Sequence, residues 1–355
     1  MFLVRKTLRK DQFLERETEC LQILDRLRHP NIVTLLASYS HCEKHHFLFP
    51  QFPSDLEHFL KRGERFGEFK NDRTFYTALE GLSSALGVVH SLNISQKEHD
   101  MALARIGYYH DLKPSSVLVD SRTFYLADFG LARLKPENIG SRTKWKTGLG
   151  DYVAPECMDE KLRPANVGRA LDIWSLGCMI SEVAAYIEGG PEGVDSFRKR
   201  RLGIAFSDRP HMKDHYFFSG QDLRPEVASW IEDISAGSEC RVFHELLDVA
   251  GLMLKPNPME RPNSATVHQR LLFLSVKALF AAVQQSLTGY LRSAPDQGEA
   301  ASAVRFHAAR LAAWGKVLHL TESVPPPDSI EATSDKCYQF RKTLTSLLGD
   351  RKSVV

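Results

Sequence analysis

Apolar positions along this chain follow two periods, and the change from one to the other separates a short strand-rich start from a long helical remainder. Residues 2–8 read as a strand. Over residues 12–27, Phe13, Glu17, Leu21 and Leu24 fall on one helical face, and His29-Pro30-Asn31 stops that helix. Ile32–Tyr39 and Phe47–Phe49 read as strands of a small sheet. A helix starts at Asp55–Phe59, and Phe75–Leu92 predicts a long amphipathic one. Asn93–Ile106 has no clear period, is polar in its first half and reads as an inserted loop. Asp172–Glu188 is strongly apolar, as a central buried helix should be. Residues 191–240 mix helix and loop, Val242–Leu254 is amphipathic, and helices resume after Arg261-Pro262.

From Ser275 onward the pattern predicts three more helices, Val276–Leu291, Ala300–Leu318 and Asp335–Leu348, separated by Ser293–Gly298 and Val324-Pro325-Pro326-Pro327. Val304, Leu311 and Leu318 recur at seven-residue spacing with Ala308 and Gly315 between them, which makes a packing stripe.

Composition narrows the class. The 355 residues are 43% hydrophobic and 25% charged, as in an ordinary globular protein. A net charge of +2 gives no global electrostatic case for nucleic acid or membrane. The run Arg198-Lys199-Arg200-Arg201 reads as a solvated helix end. Six cysteines without zinc spacing, in a chain too long for a disulfide scaffold, suggest reduced thiols and an intracellular location, cytoplasmic or nuclear. His41-Cys42-Glu43-Lys44-His45-His46 lies between apolar runs and reads as a polar hairpin turn before it reads as a metal site. No apolar stretch looks long enough to span a membrane, and the N-terminus places apolar residues before basic ones, unlike a signal peptide.

The candidate chemistry lies in Tyr109-His110-Asp111-Leu112-Lys113-Pro114-Ser115-Ser116, followed by Asp128-Phe129-Gly130. This arrangement suits phosphoryl transfer: Asp111 can accept a proton from an attacking hydroxyl, Lys113 can neutralise phosphate charge, and Asp128 can hold magnesium. Ala154-Pro155-Glu156 and Asp172-Ile173-Trp174-Ser175-Leu176-Gly177 follow in order. Together these residues resemble the C-terminal lobe of a eukaryotic serine/threonine protein kinase. The resemblance covers about residues 2–275. It implies a two-lobed α+β fold: a partial β-rich N-lobe over 1–50, a mainly α-helical C-lobe over 51–275 and a helical extension over 276–355. It also implies ATP, Mg2+ and a protein substrate. Phe306 through Leu320 loosely resembles helical domains beside kinase modules in fungal incompatibility-type proteins. The extension therefore reads as an appendage docked on the lobe or as a site for a protein partner.

Carried over residue by residue, the resemblance implies a site. Phe2-Leu3-Val4-Arg5-Lys6 looks like the strand that ends in the phosphate-anchoring lysine. Direct register puts Arg5 in that place and turns Lys6 away, and the arginine fork is not equivalent to an ammonium point. Glu17, with Glu19 as runner-up, would be its helix partner. Phe47 through Leu56 resembles the hinge, with Phe49 as gatekeeper. The Pro50 carbonyl and the Phe52 N–H would meet adenine, and Asp55 would meet a ribose hydroxyl. Tyr109 stands at a usual histidine and would stack with Phe129 and Leu21. His110 replaces an arginine that often anchors a phosphorylated activation segment, which implies little dependence on that phosphorylation. Ser116 stands where an asparagine holds a second magnesium, implying a weaker metal site. Leu149 replaces a threonine that would bond Asp111, and Thr143 and Thr147 are candidate phosphorylation sites. Glu156 would pair with Arg261, and Asp172 would hold the catalytic loop through its N–H groups. The glycine-rich loop would precede residue 2, so the N-lobe reads as truncated or as built from fewer strands. Two readings stay open: an active serine/threonine kinase, and a pseudokinase scaffold or a fragment of a larger signalling protein.

Overall fold

Strands β1 (Leu3–Arg9), β2 (Ala37–His41) and β3 (Lys44–Pro50) form an antiparallel sheet in the order β1-β3-β2. The computed structural model describes residues 2–9, 18, 21, 28–95, 102–136, 143–145, 150–157, 165–203, 214–293, 305, 308, 309, 311–313, 315 and 334–349. β2 and β3 join at Cys42 and Glu43, whose φ angles of 47° and 57° make the tight two-residue turn that a twisted hairpin needs. In the β1–β3 register Val4 faces Phe49, Arg5 faces Leu48 and Lys6 faces Phe47. Phe47 is fully buried. The two-residue period therefore puts Val4, Lys6 and Leu8 on the inner face and leaves Arg5 outside. The expected orientation of this strand is corrected: Arg5 is exposed and Lys6 points inward.

The larger lobe is built around the helix Ala170–Arg200, buried without interruption from Leu171 to Tyr186. It runs further than its apolar pattern suggested, because a second helical stretch follows a break at Gly190 (φ 59°, ψ −151°) and Pro191. Glycine alone takes that angle without strain, and proline both disfavours helix in the residue before it and starts the next turn well. The basic run ends this helix, but Arg201 is not solvated as expected. Its side chain is fully buried, pairs with Glu182, and lies over the rings of Phe197 and Phe217 at 4.5 and 3.9 Å.

Two further expectations fail for physical reasons. The inserted loop contains strands: Leu92–Ser95 and Ala102–Tyr108 pair antiparallel, and the latter also pairs with Arg133–Pro136. That last partner is distant in sequence, so no local alternation announces it. The helices Ala170–Arg200 and Ser264–Gly289 are also long and apolar enough to cross a membrane, contrary to the sequence reading, yet 89% and 61% of their apolar windows are buried in the protein.

The helix Ser264–Ser293 runs unbroken across the expected boundary at 275. Val267, Leu271 and Leu274 enter the main core, while Leu272, Val276, Phe280 and Val283 join a second core with Leu311, Cys337, Phe340 and Leu344. The helix Ser334–Gly349 supplies the last three. Gly315 permits the close approach: a Cβ there would sit 2.5 Å from Cζ of Phe280.

A buried charge cluster joins the two cores. Glu80, on the helix Arg73–His90, is 5% exposed and accepts hydrogen bonds from His268 (2.9 Å) and Arg341. The Tyr338 hydroxyl lies 3.5 Å from Glu80 and 3.1 Å from His268. Burial pushes that hydroxyl's pKa up to about 12. Burial also works to raise the Glu80 pKa, but the His268 hydrogen bond and the charge and hydrogen bond of Arg341 outweigh it and hold the carboxyl below its ordinary value. Arg341→Ala leaves a buried carboxylate short of a partner and lowers the unfolding free energy by about 2 kcal/mol. Because the folded pKa is depressed, the contribution is complete above the unfolded carboxylate value. It disappears as acid protonates Glu80, so the deficit shrinks below about pH 4. Urea unfolding of both proteins across pH checks this.

Candidate functional site

The site is organised from beneath by Asp172, in the first turn of the central helix and 1% exposed. Its carboxylate accepts the backbone N–H of Tyr109 (2.9 Å) and of His110 (2.8 Å), and a hydrogen bond from His90 (2.9 Å). Burial favours protonation of this carboxyl, but the His90 hydrogen bond, the charges of His90 and His110 and the Tyr109 N–H hold its pKa low. His110 takes φ 69°, a left-handed conformation that a non-glycine residue keeps only when several contacts impose it.

From this anchor the loop presents Asp111. Lys113 donates to both of its carboxylate oxygens, at 3.0 and 2.8 Å. Burial raises the Asp111 pKa; Lys113 opposes the shift, and the nearby charge of Asp128 adds to it. Asp128 also has left-handed φ (57°), and Lys6 donates to it at 2.8 Å. Asp111 and Asp128 thus each have a lysine partner.

Asp111 and Lys113 wall a cavity of about 350 Å3, while Lys6 and Asp128 line a cleft of about 650 Å3 between the small sheet and the larger lobe. Of the residues expected there, Phe49, Pro50, Phe52, Asp55 and Asp128 line it. Asp55 caps the helix Leu56–Leu60: its carboxylate accepts the backbone N–H of His58 at 2.8 Å and lies 2.7 Å from His58 Nδ1. Tyr109 and Phe129 meet edge to face at 5.4 Å, and Leu21 lines the same cleft as Phe129. Tyr109 also donates its hydroxyl to the carbonyl of Ala127. Arg261 meets both oxygens of Glu156 at 2.7 and 2.8 Å.

Two expected residues line neither cavity. Arg5 does not line the cleft, and Lys6, passed over in the sequence reading, does. The signal was available: Val4 and Leu8 are apolar at even positions of β1, so Lys6 shares their parity. Ser116 is also off the cleft. It is 1% exposed, and its short side chain donates to the Asp111 carbonyl at 2.9 Å instead of facing Asp128. Glu17, Glu19, Thr147 and Leu149 lie outside the described residues, as does the Thr143 side chain.

The protein-family model described as protein kinase domain matches residues 2–273. The chain belongs to the protein kinase family. It is 33% identical over 192 residues to serine/threonine-protein kinase Sgk2 of Rattus norvegicus, covering 51% of this chain and 46% of that protein. It is 30% identical over 198 residues to serine/threonine-protein kinase Sgk1 of Homo sapiens, covering 52% of this chain and 39% of that protein. The matches span less than half the length of these curated relatives. Protein kinases as a family use ATP and Mg2+.

The two neighbouring basic residues separate in one measurement. Lys6→Met weakens Mg-ATP binding by about tenfold or more, the worth of a charged hydrogen bond to phosphate. Arg5→Met leaves it unchanged. Calorimetric titration of both variants checks the assignment.

Proposed function

We propose that this chain is a serine/threonine protein kinase that moves the γ-phosphoryl group of ATP to a hydroxyl of a protein substrate. One observation carries the reading. Lys6 and Asp128 line a nucleotide-sized cleft, and Asp111, paired with Lys113, lies close enough to feel the charges of both.

The residues present fit the nucleotide and one metal. Phe49, Pro50 and Phe52 offer an apolar wall for adenine, with a carbonyl at Pro50 and an N–H at Phe52. Asp55 sits at the ribose end. Magnesium can be held by one carboxylate together with water and phosphate oxygens. Asp128 would be that carboxylate, and magnesium bound there supplies charge neutralisation to the phosphates. Ser116 is committed to the loop backbone, so the site favours one metal over two. Lys6 exchanges its Asp128 partner for phosphate oxygens. Asp111 orients the substrate hydroxyl and takes its proton, while Lys113 offsets the charge that develops beside it.

The pseudokinase alternative drew on Arg5, Ser116 and Leu149 among its residues. With Lys6 inward the Arg5 argument falls, and Ser116 and Leu149 remain in its favour.

Asp128→Asn abolishes magnesium-dependent ATP binding. Asp111→Ala keeps that binding but lowers turnover by about two to four powers of ten. Unchanged turnover in Asp111→Ala sinks the proposal, and absence of ATP binding at millimolar concentration favours the scaffold reading. Because the Asp111 pKa is raised, the base is lost on acidification at a higher pH than for an ordinary aspartate, so the acid limb of kcat/KM lies above about pH 4. A pH–rate profile tests that limb.

A further inference from the structure

His110 replaces a residue type that ordinarily waits for a phosphate, and the structure shows what meets it instead. Trp145 is 3% exposed and packs its ring on His110, with centroids 5.7 Å apart and planes at 36°. The imidazole also meets Tyr108 edge to face at 5.4 Å. The indole N–H has no hydrogen-bond partner among the described residues, so the contact works through ring packing.

Trp145 is itself fixed. Its backbone N–H donates to the Ala165 carbonyl at 2.9 Å. Just before it, Thr143 and Lys144 pair with Val167 and Asn166 in a short antiparallel ladder. The helix that carries Asp172 starts three residues later, at Ala170. A closed mechanical loop results. Asp172 grips the His110 backbone from one side, Trp145 covers its ring from the other, and both hang from the stretch 165–172. His110 sits in a left-handed conformation directly before Asp111, so its placement sets where the Asp111 carboxylate points.

We infer that Trp145 is a positioning residue: it holds His110, and through it Asp111, in the productive arrangement without any phosphate on the activation segment. The inference rests on the phosphotransfer reading above, and goes beyond it by naming what sets the geometry of the base. A cavity of about 350 Å3 beside Asp111, walled by His110, Lys113, Trp145 and Tyr152, puts the same indole on the side away from the nucleotide. Loss of the ring therefore affects turnover more than nucleotide affinity.

The full chain is compared with its Trp145→Ala and Trp145→Phe variants. Turnover is measured on a randomised serine/threonine peptide mixture, Mg-ATP affinity by titration, and exposure of segment 133–157 by the rate of tryptic cleavage. Trp145→Ala lowers kcat about a hundredfold, the cost of a misplaced catalytic group, with Mg-ATP affinity within about twofold and faster cleavage of the segment. Trp145→Phe, which keeps an aromatic ring, recovers most of the kcat and the protection. Phosphatase treatment of the wild type leaves kcat unchanged. The inference is overturned if Trp145→Ala retains wild-type kcat and protection, or if phosphatase abolishes activity. If the wild type turns over no substrate, the phosphotransfer reading fails, and cleavage alone then decides the anchoring: unchanged protection in Trp145→Ala overturns it. If Trp145→Ala does not fold, Trp145→Leu fills the space without a ring, and the same outcomes apply.

Discussion

A single carboxylate with almost no access to water sets the position of everything that can do chemistry here. Asp172 accepts two consecutive backbone N–H groups of the catalytic loop and a histidine hydrogen bond. A buried charge is tolerated only when it is paired and fully hydrogen-bonded. The requirement runs both ways: the carboxylate requires the loop as much as the loop requires the carboxylate. The left-handed φ of His110 follows from it, and so does the direction in which Asp111 leaves the loop. The central helix is rigid because it is buried on all sides over Leu171–Tyr186, and that rigidity passes to the loop through two short hydrogen bonds.

The electrostatics above this anchor are arranged in pairs. Asp111 with Lys113 and Asp128 with Lys6 keep two carboxylates close without leaving either uncompensated. Both pairs are partly exposed, so neither is a large source of stability. Their value is that the partners can be exchanged: a lysine at the mouth of a cleft can leave a carboxylate for a phosphate at small net cost. The buried pairs of the lobe, Glu156 with Arg261 and Glu182 with Arg201, lack that freedom and serve as fixed struts.

Much of this was legible in the residues. Asp111, Lys113 and Asp128 lie on a loop and a turn whose spacing is visible in one dimension, and the central helix declares itself by its apolar run. Asp55 was also readable, since a helix cap and a cleft carboxylate ask for the same residue type. The failures share a cause. Lys6 and Arg5 differ only in strand parity, which the apolar Val4 and Leu8 hinted at and which pairing with β3 fixes. The strands Leu92–Ser95 and Ala102–Tyr108 were missed because the latter's second partner, Arg133–Pro136, comes after the Asp128 turn. Ser116 was expected to make a weaker metal site, and its buried hydroxyl donates to the Asp111 carbonyl. Trp145 carried no signal at all, because its partner is a histidine in another segment.

The helix Ser264–Ser293 has one face in each of two cores. Such an element cannot be finished by either side alone. During synthesis the kinase lobe emerges well before Ser334–Gly349, so for that interval Phe280, Val283 and their neighbours have no cover and the lobe is a sticky intermediate rather than a finished domain. Ser334–Gly349 is therefore a later segment that covers apolar surface made earlier, and a change within it falls on a core begun well upstream.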